Sequence, residues 1–341
     1  MTLGAALATL AAPAFAESSD ARVQSRLASA QDILTDDLLW VERALDEAVR
    51  TGPEPATLAA RHLVARGGKR IRPMALLLSA ACFSGISPAA RELAVVAELV
   101  HSATLLHDDV IDDGTERRGA SAARLLFGNG VSVLSGDLLL VHALERTERY
   151  APEILPDLIR TLRRLVEGEI VQLRGRSELD VTEATYERIL RDKTASLFAW
   201  ATRSGARIAG ASSADQERLA GFGERLGIAF QLVDDVLDYS GEDTGKTLLA
   251  DLREGKLTLP LVLAVARMPE LVHPLRRIYA GDREPVVAVS RAVVESGACD
   301  EVRRRASAFT QKAVEDLSLV AAGPARLLLE HVAQELASRA A

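Results

Sequence analysis

Two short segments hold the residue types most able to do chemistry. Leu105-Leu106-His107-Asp108-Asp109-Val110-Ile111-Asp112-Asp113 and Phe230-Gln231-Leu232-Val233-Asp234-Asp235-Val236-Leu237-Asp238-Tyr239 each contain Asp-Asp-x-x-Asp. In a helix, Asp108 and Asp112 lie ~40° apart around the axis and about 6 Å apart along it, so they share a face; Asp234 and Asp238 repeat the geometry. Asp109 and Asp235 stand beside them. Stacked carboxylates repel one another, and a helix C-terminus is the wrong end for negative charge. A divalent cation relieves both problems, and an all-oxygen donor set at this spacing suits Mg²⁺, which keeps several waters and shares its shell with phosphate oxygens. For one cluster alone, a solvated helix end is the simpler account. Both, however, sit in strongly apolar stretches, Ala94–Leu106 and Leu226–Leu237, and together they favour metal.

Metal-bound diphosphate calls for facing cations, and three groups supply them. Gly67-Gly68-Lys69-Arg70-Ile71-Arg72-Pro73 is a glycine loop feeding a helix with proline in its first turn. Its backbone N–H groups and the helix dipole suit a phosphate, with Lys69 and Arg72 adding charge. Arg117-Arg118-Gly119 follows the first cluster, where two guanidinium groups could chelate phosphate bidentately. Lys193-Thr194, Lys246 and Lys256 form the third group. The Gly-x-x-x-x-Gly-Lys-[Ser/Thr] spacing of a P-loop is absent. His101, seven residues before Asp108, falls within about 20° of the same helical face and is a candidate phosphate contact; His107 reads as structural support. This combination serves departure of diphosphate, with Mg²⁺ and Arg/Lys stabilising charge on the leaving oxygens. What remains is a carbocation, which survives only in a cavity that excludes water.

The elements that must hold these groups are helices. From about Leu27 the apolar spacing is helical nearly everywhere, and two-residue alternation over strand length is hard to find. Glycine and proline joints leave room for about ten helices, and no linker divides the chain. An all-α, single-domain helical bundle around a deep central apolar cavity is expected, over residues 27–341, with 1–26 a disordered or mis-started segment. The run Met1–Ala16 ends like a signal peptide but lacks a positive n-region, its first basic residue being Arg22. A chain of 341 residues can enclose such a cavity without disulfides or structural metals. Its net charge of −7 argues against a nucleic-acid partner. Cys82 and Cys299 stand far apart without metal-ligand spacing, which fits reduced thiols and a cytoplasmic location. No run reaches the roughly 20 apolar residues of a membrane span.

With these residues in this order, the sequence resembles the trans-isoprenyl diphosphate synthases of the polyprenyl synthetase family. The resemblance runs from Gly67 to about Pro260 and includes Gly136-Asp137, Glu167-Gly168-Glu169 with Gln172, Lys193-Thr194-Ala195, Gly245-Lys246 and Asp251-Leu252-Arg253-Glu254-Gly255-Lys256. It implies that Asp108, Asp109, Asp112, Asp234, Asp235 and Asp238 hold Mg²⁺ on an allylic prenyl diphosphate. Lys69, Arg72, His101 and Arg118 would bind isopentenyl diphosphate; Arg117, Lys193, Thr194, Gln231, Lys246 and Lys256 would hold the allylic substrate. It further implies ionisation of the allylic diphosphate, attack by the homoallylic double bond and proton loss, in a homodimer that contacts a membrane peripherally to release product. Two departures stand out. Ala120-Ser121-Ala122-Ala123-Arg124 replaces the family's Lys-Pro-Thr-Ala-Asn/His, with Arg124 a partial substitute, and Thr247 follows Lys246 where proline is common.

In the family, bulky residues four and five positions before the first aspartate floor the cavity. Here those are the small Thr104 and Ala103, which implies a long product, roughly hexaprenyl to decaprenyl; a farnesyl or geranylgeranyl diphosphate synthase is the alternative. A class I terpene cyclase is a remoter rival. Asp234, Asp235 and Glu242 fit its second motif, but the central position is Asp238, and such enzymes lack the Gly-Gly-Lys-Arg-x-Arg loop. A non-catalytic subunit of a heteromeric synthase would be expected to have decayed clusters, and both are intact.

Overall fold

The computed structural model describes residues 21–240 and 249–338. Among them are sixteen α-helices. In chain order these are α1 (Ala21–Ala48), α2 (Ala56–Val64), α3 (Ile71–Ala81), α4 (Pro88–Ile111), α5 (Ala123–Phe127), α6 (Asn129–Tyr150), α7 (Leu155–Glu178) and α8 (Glu183–Ile189). There follow α9 (Ser196–Ile208), α10 (Ser213–Ser240), α11 (Ala250–Glu254), α12 (Leu259–Arg267), α13 (Val272–Tyr279), α14 (Val286–Glu295), α15 (Ala298–Ser318) and α16 (Pro324–Ser338). The all-α expectation holds. The excess over ten comes from helices of five to nine residues that form between closely spaced Gly and Pro joints, such as α5 and α11. Residues 1–20 of the segment set apart above lie outside the described residues, and α1 opens at Ala21, earlier than its apolar periodicity suggests.

Helix α4 is the axis of the first half. Ser87 caps it by accepting a hydrogen bond from the Ala90 amide at 3.2 Å, and Pro88 opens its first turn. Buried residues occur all round it, as suits a helix surrounded by others, and it packs against α1, α3, α6 and α9. Helix α10 belongs to two apolar clusters. Leu219, Phe222 and Leu226 join the cluster around α4; Ile228, Leu232 and Val236 join a second, built with α12, α14 and α15. The aspartate clusters close α4 and α10, so both sit where the bundle's interior meets its rim.

Two local features depart from simple helix. Glu116–Arg117 and Ala120–Ser121 pair antiparallel as a minimal hairpin. Its two central residues, Arg118 and Gly119, have φ of 53° and 71°, the positive values a type I′ turn requires. Between α8 and α9, Leu190–Ala195 forms a π-helix that carries Asp192, Lys193 and Thr194. Gly168 on α7 makes room for it, since a Cβ there would lie 2.7 Å from the Lys193 amide nitrogen.

Candidate active site

A cavity of about 650 Å³ opens between α4, α6, α7 and α10. Asp108, Arg117, Lys193, Asp234, Asp235 and Lys256 line its polar end, and Thr104, Val133, Leu140, Leu162, Leu165 and Val166 line its apolar part. Asp108 of one cluster and Asp234 and Asp235 of the other, more than a hundred residues apart, thus face one space.

The first cluster is compensated by the protein's own cations. Arg117 donates twice to Asp109 Oδ1, from Nε at 2.8 Å and Nη2 at 2.6 Å. Lys193 Nζ lies 3.4 Å from Asp108 and also pairs with Glu169. Lys256 Nζ lies 3.1 Å from Asp112, 2.6 Å from Glu254 and 3.7 Å from Asp251. Burial opposes the charge on both lysines, yet the surrounding carboxylates hold each pKa above the ordinary lysine value. Arg124 does not reach the cavity. It donates to the Asp109 carbonyl at 3.1 Å and to Asp113 at 2.7 Å, placing a cation at the C-terminus of α4 where the helix dipole favours one.

In the second cluster, Asp235 is held by neutral donors. Asp235, 3% exposed, accepts from the Tyr186 hydroxyl at 2.8 Å, the Gln231 side-chain amide at 3.0 Å and the Leu259 backbone N–H at 3.0 Å. Burial nevertheless pushes its pKa up to about 7, the three hydrogen bonds offsetting only part of the desolvation. Thr194 in turn donates to Gln231 Oε1 at 3.1 Å, linking the π-helix to α10. Asp234 faces the cavity, and Asp238 is buried behind it.

Oxygen donors are available for a cation. Asp109 Oδ2 is buried and, among the described residues, receives no hydrogen bond. No three Asp, Glu, His or Cys side chains among the described residues converge tightly enough to hold an ion alone. A hard cation would therefore complete its shell with water or phosphate oxygens, as Mg²⁺ characteristically does.

A third charged group adjoins the cavity at the glycine loop. Arg72 lines it, with its guanidinium 4.4 Å from the Phe198 ring and its Nε buried without a hydrogen bond among the described residues. Burial draws the Arg72 pKa down to about 10, in spite of Glu98 nearby. His101 also lines the cavity; burial first, then Arg72, Arg118 and Arg117, push its pKa well below the usual value, so it is neutral at pH 7. Lys69 Nζ sits 5.7 Å from the Phe230 ring. His107 reaches across to α6, within 3.1 Å of the Val133 carbonyl, in the supporting place its sequence position suggested.

Two expectations need revision. Thr104 lines the cavity, but Ala103 is fully buried in the core around α4 and does not. The helix repeat explains this: Thr104 precedes Asp108 by four residues and shares its face, whereas Ala103 is turned about 100° away. Arg124 serves the end of α4 and not a ligand. Lys246, expected at the allylic diphosphate, lies outside the described residues. Glu169 and Asp251, quoted above in motifs but given no role, line the cavity; Tyr186, which also lines it, and Arg176, 3.9 Å from Asp112, were not foreseen. Tyr186 gave no signal, being 49 residues from its partner. Glu98 did give one, as the only carboxylate between Ala94 and Leu106.

Comparison with known proteins agrees with this geometry. The octaprenyl diphosphate synthase of Escherichia coli (strain K12) is 35% identical over 311 residues, covering 89% of this chain and 96% of the relative. The nonaprenyl diphosphate synthase of Mycobacterium tuberculosis is 34% identical, covering 88% and 91%. Among solved structures, a polyprenyl synthase from Caulobacter crescentus complexed with calcium and isoprenyl diphosphate superposes with a TM-score of 0.85 at 36% identity, covering 93% and 98%. A decaprenyl diphosphate synthase from Rhodobacter capsulatus gives 0.83 at 33% identity, covering 92% and 99%. The sequence model of the polyprenyl synthetase family matches residues 54–296, and the chain belongs to that family.

Proposed function

We propose that this cavity is where the chain, a long-chain prenyl diphosphate synthase, joins isopentenyl diphosphate to an allylic prenyl diphosphate. One observation carries the reading: Asp108 of the first cluster, Asp234 and Asp235 of the second, and Arg72, whose buried Nε has no hydrogen bond among the described residues, face one cavity that also has an aliphatic wall of Leu140, Leu162, Leu165 and Val166. Asp108, Asp109, Asp112, Asp234, Asp235 and Asp238 would hold Mg²⁺, which supplies positive charge to the departing diphosphate. Arg117, Lys193, Thr194, Gln231, Lys246 and Lys256 bind and orient the allylic diphosphate, while Lys69, Arg72, His101 and Arg118 bind isopentenyl diphosphate. The allylic C–O bond breaks, the homoallylic double bond attacks the allylic cation to form the new C–C bond, and the tertiary cation left behind loses a proton from its neighbouring carbon to the released diphosphate, forming the new double bond. Thr104 and the leucines and valines beyond it keep water from the cation.

The product is long because no bulky side chain stands at Thr104 and the cavity continues between α6 and α7. Its wall there includes Val166 and Ile170, 59% and 60% exposed. With Leu173 at 50%, these residues recur at helical spacing along α7 and give it an apolar face larger than single exposed residues explain. A second copy covers it in a homodimer. Among the described residues no helix is long and apolar enough to cross a membrane, so the contact proposed for product release is peripheral. The two free thiols, Cys82 and Cys299, support a cytoplasmic place.

The test is incubation of purified protein with Mg²⁺, labelled isopentenyl diphosphate and farnesyl or geranylgeranyl diphosphate, with product length measured. Incorporation into products of hexaprenyl length or more is expected. No incorporation by well-folded protein would overturn the synthase reading; products stopping at geranylgeranyl would overturn the long-chain one.

A further inference from the structure

We propose that Glu98 is a positioning residue for the isopentenyl diphosphate subsite, a single buried carboxylate that aims Arg118 at the incoming anion while Arg70 is consumed in holding it. The proposal rests on the assignment of that substrate to the glycine loop.

Glu98 lies in the middle of α4, 2% exposed, in a stretch otherwise free of carboxylates. A lone carboxylate is costly there, and it is retained with cations around it. Its Oε1 accepts from Arg70 Nη1 at 2.5 Å and from Arg118 Nη2 at 3.5 Å. Arg70 offers nothing further to a ligand. Its Nε and Nη2 go to Glu42 at 2.5 and 3.1 Å, and the residue is 3% exposed. Within Gly-Gly-Lys-Arg-Ile-Arg the middle basic residue therefore anchors the loop.

The loop backbone rests on the same pair of guanidinium groups. A Cβ on Gly68 would come within 3.0 Å of both Arg118 Nη2 and Arg70 Nη1. Arg118 is steadied at its other end by the Leu63 carbonyl at 3.3 Å. Glu98 thus places two guanidinium groups, and these place the loop whose N–H groups and Lys69 face the diphosphate. Arg72 is not hydrogen-bonded to Glu98 but feels its charge, which opposes the loss of the Arg72 proton on burial.

The test is steady-state kinetics of Glu98→Gln with each substrate varied separately. The expected result is a tenfold or greater rise in KM for isopentenyl diphosphate, with kcat and KM for the allylic substrate within threefold. Glu42→Gln removes Arg70's other partner and should lower Tm while leaving that KM within twofold. An unchanged KM for isopentenyl diphosphate in folded Glu98→Gln would make the carboxylate merely a core ion pair, and a lowered KM would make it a competitor of the substrate; either result overturns the proposal. If Glu98→Gln does not fold, Glu98→Asp, which keeps the charge but withdraws it by one methylene, must show the same selective rise. Arg72→Ala separates the two levels of the argument. If it leaves KM for isopentenyl diphosphate unchanged, the subsite assignment itself fails; if it raises that KM and the Glu98 variants do not, only the present proposal fails.

Discussion

The two aspartate clusters share a motif and are solved by different physics. Asp109 is met by a guanidinium on one oxygen and by no hydrogen bond on the other, and its neighbours Asp108 and Asp112 are met by lysines. Asp235 is met by a phenol, an amide and a backbone N–H, none of them charged. Ion pairs between mobile side chains can be exchanged for other ions as ligands arrive. Three directional hydrogen bonds from buried neutral groups fix one carboxylate orientation. The first cluster is therefore built to trade partners, and Asp235 of the second to hold still. A repeated sequence motif does not imply a repeated mechanical role.

The comparison can be broken most severely at the residues facing the cavity. Asp108→Ala and Asp234→Ala should each lower kcat by roughly 100- to 1,000-fold, the scale for removing one preorganised electrostatic group, with the far-UV circular dichroism unchanged. Activity surviving either change would refute the metal assignment. Tyr186→Phe withdraws one donor from Asp235 and should reduce kcat about tenfold, equivalent to ~1.4 kcal/mol, and raise the Mg²⁺ concentration needed for half-maximal rate. If it acts only on Tm, the fixed second cluster is not a catalytic requirement. Along α4, Thr104→Phe should shorten the products seen by chromatography. Ala103→Phe should instead destabilise by about 1–3 kcal/mol through overpacking, without a matching change in length. Arg124→Ala should cost about 1 kcal/mol of stability, by thermal unfolding, and leave kcat within threefold.

A further test of the second cluster is a dependence on pH. Because burial raises the Asp235 pKa to about 7, the folded metal-free protein holds a proton that the unfolded chain releases near pH 4. Stability should be greatest at the low end of that window and fall as pH rises from about 4 to 7, other groups aside. Asp235→Asn should flatten this slope, as followed by Tm in chelator; an unaltered slope would mean that the carboxylate is not the group responsible.

What could be read from the sequence was what is local. The stacking of Asp108 on Asp112 follows from helix geometry, as does the apolar character of the helix carrying them. The capping of α4 by Ser87 and Pro88 is equally local. Tyr186 and Asp235 meet only because α8 is folded against α10, and no periodicity connects positions 49 apart. The π-helix that presents Lys193 depends on the contact at Gly168, again a tertiary fact. The counterion expected to be a metal turned out in part to be the protein's own Arg117, Lys193 and Lys256, since basic residues scattered from 117 to 256 converge on one helix end. Glu98 was visible as an anomaly in an apolar helix, but its partner Arg70 lies across the fold.

The hairpin at Glu116–Ser121 has one more consequence. Arg117 leaves its strand toward Asp109, and Arg118, the next residue, leaves the turn toward Glu98. On the roles proposed above, the two substrates would have anchors joined by a single peptide unit, whose Cα atoms are fixed about 3.8 Å apart. Helices can breathe and side chains can change rotamer, but this part of the gap between donor and acceptor is measured out in covalent bonds, the stiffest ruler a polypeptide has.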